Sequence, residues 1–181
     1  MVNKILFIEG TKDDTNGDLR EGFSKLLSQK LSGNMPRIKM GNNLKSTTRV
    51  FLNNKLSKIE YLLIDLDEKK SEKKNKLREH CLYQQKDKVF FMIQEMESWF
   101  LSQPEILDKF YGEILSKKIN SETYQEIEKP AKFLQKITIN SKKRKYHKVK
   151  HGVELLKRLD ANKLENSSSE FKNLITILRK L

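Results

Sequence analysis

Three apolar runs interrupt an otherwise polar chain: "KILFIE" at 4–9, "YLLIDLD" at 61–67 and "KVFFMIQ" at 88–94. Each is continuous rather than alternating, the pattern of a strand buried on both faces. After the first run, Leu19, Phe23, Leu26, Leu27 and Leu31 fall on one helical stripe, with Thr15, Asn16 and Asp18 as candidate caps. "PRIKM" at 36–40 reads as a short strand near a sheet edge, because it opens on Pro36. "STTRVFLNNKL" reads as a further helix. The segment "EKKSEKKNKLREHCLYQQ" after the second run has helical propensity but is polar nearly all round, which predicts one exposed helix. "EMESWFLSQ" follows the third run, with Trp99 expected as a core anchor, and Pro104 starts another short helix.

Beyond residue 104 strand patterns cease. Val149, Val153 and Leu156 make one helical stripe, and Phe171, Leu174, Ile175 and Leu178 make another. The rhythm predicts an α/β fold: a mostly parallel sheet of about four strands, helices on both faces, and a helical C-terminal third capping the sheet. A length of 181 residues suits one domain, with a core over 1–103 and a helical extension over 104–181.

Composition changes this picture in two ways. The net charge of +13, from 37 Lys and Arg against 24 Asp and Glu, points toward a polyanionic partner such as DNA or RNA. The excess is uneven, with 18 basic against 10 acidic residues after residue 100. No stretch approaches the ~18 apolar residues of a membrane span and the N-terminus lacks a signal-peptide core, so the chain is expected in the cytoplasm and off the membrane. The lone Cys81 agrees with a reducing compartment.

The candidate chemistry lies where the apolar runs end. Glu9 closes the first, Asp65 and Asp67 close the second, and Glu95 and Glu97 follow the third. In an open parallel sheet these carboxyl ends are where ligands gather. Asp65 and Asp67, two apart on a strand, face one side while Leu66 faces the other. Gly10 is read as the tight turn that leaves Glu9 exposed. Any one such acid is commonly a turn or cap residue, but several converging would repel unless a cation sat among them. A hard divalent ion, Mg²⁺ or Mn²⁺, is the natural occupant. His147 and His151 have one-turn spacing, yet Lys148 stands where a zinc protease has its Glu, so that pair reads as a solvated basic face.

"IEGTKDD" together with "LIDLDEK" resembles the Toprim domain, the metal-binding module of topoisomerases, primases and several nucleases. The Glu9-Gly10 pair and Asp65-Leu66-Asp67 match its motifs in type, order and strand context. The Glu9 to Asp13 spacing resembles the OLD-family nuclease branch. "QEMESWFL", "EKPAKFL" and "YHKVKHGVELLKRLD" resemble a small stand-alone Toprim-like group often encoded beside ABC- or AAA-type ATPases in bacterial defence loci. A haloacid-dehalogenase-type phosphatase is discounted, since Glu68 follows the Asp pair and the pair sits on a later strand.

The resemblance implies a Toprim-like Rossmannoid sheet and metal-dependent hydrolysis of a phosphodiester by one or two ions. Glu9 and Asp65 would hold one, Asp67 and Asp13 would serve a second, and Glu97 is an additional candidate ligand. Lys12 would neutralise developing charge, with Lys148 a candidate for the same duty. The run "KKRKYHKVK" supplies Lys142, Lys143, Arg144, Lys145, Lys148 and Lys150 to bind a phosphate backbone, and Tyr146 to stack on a base. No glycine-rich nucleotide loop is present, so ATP hydrolysis would come from a separate ATPase chain. A catalytically silent Toprim-fold subunit and a basic nucleic-acid-binding protein are the alternatives.

Overall fold

The computed structural model describes residues 4–10, 17–31, 33–54, 59–120 and 122–180. Along the chain run β1 (Lys4–Glu9), α1 (Leu19–Ser28), β2 (Arg37–Gly41), α2 (Leu44–Asn53), β3 (Ile59–Asp65), α3 (Lys73–Glu79) and β4 (Val89–Met92). Then come α4 (Glu97–Leu101), α5 (Pro104–Tyr111), α6 (Pro130–Ile137), α7 (Lys150–Arg158), α8 (Ala161–Ser167) and α9 (Ser169–Arg179). The strands form one parallel sheet in the order β2-β1-β3-β4. This is the predicted α/β architecture, with a helical C-terminal region.

The continuous apolar runs are explained by burial on both faces. Leu6, Ile8, Tyr61, Leu63, Phe90 and Met92 enter a large core shared with α1 and the helices after β4. Ile5, Phe7, Leu62, Ile64, Val89 and Phe91 enter a smaller core under Phe51 of α2 and Leu77 of α3. Trp99 is the expected anchor, meeting Phe23 and Phe171 edge to face at 6.2 and 5.3 Å. Asp18 caps α1 by accepting the Arg20 N–H.

One expectation about local structure is corrected. The exposed helix after the second run shortens to α3 between 3₁₀ turns at Lys70–Glu72 and Tyr83–Lys88, and Cys81 leaves it with φ 58°. Helix α3 itself buries only Lys76 and Leu77, and Leu82 is buried beyond its end, so no continuous apolar stripe carries a longer helix. At Gly10 a Cβ would stand 2.8 Å from the Met40 methyl, the far end of a flexible side chain.

The C-terminal helices fix themselves to the sheet at both ends of the chain. Lys4 donates from Nζ to the Leu178 carbonyl at 2.7 Å, near the negative end of α9. Glu170 of α9 accepts the Phe91 N–H on β4 at 3.3 Å and pairs with Lys73 at 2.6 Å. Helix α7 lies close on α1 because position 22 is glycine; a Cβ there would stand 2.8 Å from Leu156. Among the described residues, no helix is long and apolar enough to cross a membrane.

Candidate functional site

The strand order reverses between β1 and β3: from β1 the chain goes first to β2 on one side, then to β3 on the other. Helices leave such a point in opposite directions and open a crevice beyond the strand ends. Glu9 ends β1 and Asp65 ends β3, so the sheet brings both acids to the mouth of that crevice. Glu9 Oε2 accepts the Asp65 backbone N–H at 3.2 Å. Asp65 is buried; its Oδ1 accepts the Met96 N–H at 2.8 Å and its Oδ2 takes the Lys148 ammonium at 3.0 Å.

Beyond Asp65 the chain bends. Asp67 adopts φ 61°, a left-handed conformation that aspartate tolerates better than most residues. Its N–H donates to the Gln94 carbonyl at 2.6 Å. Its side chain, half-exposed, pairs with Lys76 at 3.1 Å. Leu66 packs into the smaller core, as the alternation predicts.

Glu97, at the start of α4, is fully buried beside this pair. The Tyr146 hydroxyl donates to its Oε1 at 2.8 Å. Its Oε2 has no hydrogen-bond partner and faces the Lys148 ammonium at 3.9 Å. The acids therefore come from the sheet region and the central cation from the extension.

The electrostatics follow from crowding in a poorly solvated place. Burial, then the charges of Asp65 and Asp67, push the Glu9 carboxyl up to about 7. Burial also pushes Glu97 to about 7 against the opposing pull of Lys148, with Asp65 and Glu95 adding to the rise. Asp65 is raised by burial even with Lys148 on its oxygen. For Lys148, burial favours the neutral form, but Asp65 and Glu97 outweigh it and hold the ammonium charged. One lysine thus leaves the cluster short of positive charge.

Several expected site residues fall elsewhere. Lys12 and Asp13 lie outside the described residues. Glu95 accepts the Ala131 N–H at 2.7 Å at the start of α6, a helix-capping task. The basic run divides: Lys142, Lys143, Arg144, Lys145 and Lys150 are exposed, while Lys148 turns inward to the acids. Lys143 stands 4.2 Å over the Phe110 ring. Tyr146 is corrected from a base-stacking group to a buried one, with its hydroxyl on Glu97, so its ring does not present a face to solvent. The His pair divides too: His147 is exposed, whereas His151 is buried with Nδ1 3.1 Å from the Tyr111 hydroxyl, which corrects the solvated face expected there.

Lys76, the Met96 amide and the contact of Tyr146 with Glu97 were not foreseen. A conspicuous Tyr inside a basic run was the one available signal, and it suggested the opposite environment.

The donor set was tested against a divalent ion. All its oxygens are carboxylate, which suits a hard cation, and a fully buried Glu97 oxygen without a partner leaves negative charge uncompensated. Among the described residues, however, no three His, Cys, Asp or Glu side chains stand ready-gathered for a metal. The place between Asp65 and Glu97 belongs to the Lys148 ammonium. The residues fit such an ion in chemistry and charge, and Glu9, Asp65 and Asp67 are those that would hold it.

In comparison with known proteins, the pattern of one family, described as a domain of unknown function (DUF4276), matches residues 44–179. No curated protein and no solved structure matches the chain.

Proposed function

The chain belongs to the DUF4276 family of domains of unknown function, and from the chemistry of its strand-end acids we propose that it is a Mg²⁺- or Mn²⁺-dependent nuclease. The observation that carries this reading is the meeting of Glu9 and Asp65 at the switch point of a parallel sheet, with the proton affinity of both raised by burial and by neighbouring carboxylates. Such a cluster is costly to maintain and gains most from a divalent cation. The Toprim-like motifs around these residues support phosphodiester hydrolysis as the reaction.

In this reading the ion, when bound, supplies Lewis acidity at a phosphate oxygen and a lowered pKa for water. The chain's residues do the remainder. Glu9 and Asp65 would hold that ion at the strand ends, and Asp67 at the rim would complete the carboxylate set. Lys142, Arg144, Lys145 and Lys150 hold the backbone of the nucleic acid by replacing its counterions. Such contacts position without choosing sequence. The cytoplasm is the proposed compartment. A separate ABC- or AAA-type ATPase is the proposed partner, and anti-phage defence the proposed setting; both rest on the resemblance of the C-terminal stretches.

One observation favours a catalytically silent subunit instead: an ammonium already stands between Asp65 and Glu97. Incubating the purified protein with plasmid DNA and with tRNA, in Mn²⁺ or Mg²⁺ and with EDTA controls, separates the two. Cleavage that needs the ion and falls at least ~100-fold in Asp65→Ala, with nucleic-acid binding retained, is the expected result. A protein that binds nucleic acid but stays inert with both ions and with its ATPase partner would be the silent subunit.

A further inference from the structure

Among the described residues, Lys148 is the cation that the C-terminal extension brings to the acid cluster, beside the Tyr146 hydroxyl on Glu97. Its ammonium is 3.0 Å from Asp65 Oδ2 and 3.9 Å from Glu97 Oε2. The other Asp65 oxygen is engaged by the Met96 N–H at 2.8 Å, so Oδ2 is the oxygen that remains for a cation. The lysine reaches this place from an irregular segment, held on one side by buried Tyr146 and on the other by buried Val149. Its own side chain is 38% exposed, so part of it already borders solvent.

From this geometry we infer that Lys148 is an exchangeable counter-ion: its ammonium and a divalent metal compete for Asp65, and metal entry turns Lys148 out toward the substrate side. The inference rests on the metal reading above and adds to it the fate of the lysine. Two cations on one carboxylate oxygen repel strongly in a partly desolvated site, so arrival of the stronger charge displaces the flexible one. A lysine suits this task, because its ammonium is a point charge on a four-carbon stem with rotatable donors. The exchange keeps the cluster compensated in both states: Lys148 serves the metal-free protein, and the displaced ammonium remains close enough to meet a phosphate. Glu97 Oε2, without a hydrogen bond, is the oxygen that the departing ammonium leaves without its nearest cation.

The test is a Mn²⁺ titration of the full chain followed by the loss of the free-ion EPR signal, for wild type, Lys148→Met and Lys148→Arg. Competition predicts that Lys148→Met binds Mn²⁺ at least about tenfold more tightly, a change of ~1.4 kcal/mol, while the charge-retaining Lys148→Arg stays close to wild type. Equal or weaker binding by Lys148→Met, with wild type binding normally, overturns the exchange and leaves the metal reading standing. If no variant binds Mn²⁺, both fall together. A second measurement needs no variant: reductive methylation of wild type, mapped by mass spectrometry with exposed Lys142 as internal reference. Lys148 should react several-fold faster once Mn²⁺ is added, whereas an unchanged or slower rate overturns the exchange.

Discussion

Asp65 and Asp67 lie two residues apart and each holds a lysine, Lys148 at 3.0 Å and Lys76 at 3.1 Å. The separations are nearly equal, but the surroundings are not. Asp65 is 5% exposed and shares its lysine with Glu97, whose second oxygen has no hydrogen bond. The Asp67 side chain is 50% exposed and its lysine serves it alone among the ion pairs of the described residues. The Asp65 pair crosses from sheet to extension over 83 positions, whereas the Asp67 pair closes within nine. At the rim, water screens the Asp67 carboxylate and weakens the pair, although Lys76 itself is buried. In the interior, each charge depends on its neighbours, and removing one leaves another uncompensated. Function is therefore expected from the interior pair and solubility from the rim.

The contrast breaks most readily through pH. Glu9 and Glu97 titrate near 7 when folded but near 4.5 when unfolded. Between those values the native state holds protons that the unfolded chain has released, so stability falls as pH rises from about 4.5 to 7. Glu97→Gln should flatten this slope, removing up to about 3 kcal/mol of pH-dependent change. Urea unfolding at pH 5 and at pH 7.5 measures it, and an unaltered slope in Glu97→Gln would mean that Glu97 carries no excess proton.

A smaller effect is expected at a distance. Gly22→Ala places a methyl 2.8 Å from Leu156 and pushes α7 off α1, at a cost of about 1–3 kcal/mol. Because Lys148 precedes α7, this variant should weaken the interior pair and leave the rim pair intact. Faster reductive methylation of Lys148, with Lys76 unchanged, is the corresponding observation. The smallest change belongs to the rim: Lys76→Ala should shift stability by less than about 1 kcal/mol at low salt and by less still in 0.5 M NaCl. A loss as large as that of the interior variants would show that exposure does not separate the two pairs.

Much of the fold was legible because burial on both faces of a strand leaves a one-dimensional trace. Leu6, Phe7 and Ile8 are all buried, though they point to opposite cores. The stripe Phe171, Leu174, Ile175 and Leu178 was equally readable, since all four face one core. The placement of Glu9 beside Asp65 followed from the two runs and the parallel rhythm. What local pattern lacks is information on which surface turns back inward. Tyr146 and Lys148 look like members of a solvated basic run, yet an aromatic ring and a long aliphatic stem can be buried beside exposed neighbours. The Lys148 to Asp65 pair spans the chain, and no periodicity encodes a contact of that range. The overlong helix expected after β3 failed for the opposite reason: propensity favoured it, but α3 buries only Lys76 and Leu77, too little to carry a longer helix.

The Lys148 contact also orders events during synthesis. Glu9, Asp65 and Glu97 all precede their common lysine in the chain. At a translation rate of roughly 5–20 residues per second, the 83 positions between Asp65 and Lys148 take on the order of 10 s to make. For that interval a nascent sheet must carry its acids either protonated or hydrated, and the interior pair closes only as α7 docks on α1. A later segment thus silences the charge of earlier ones.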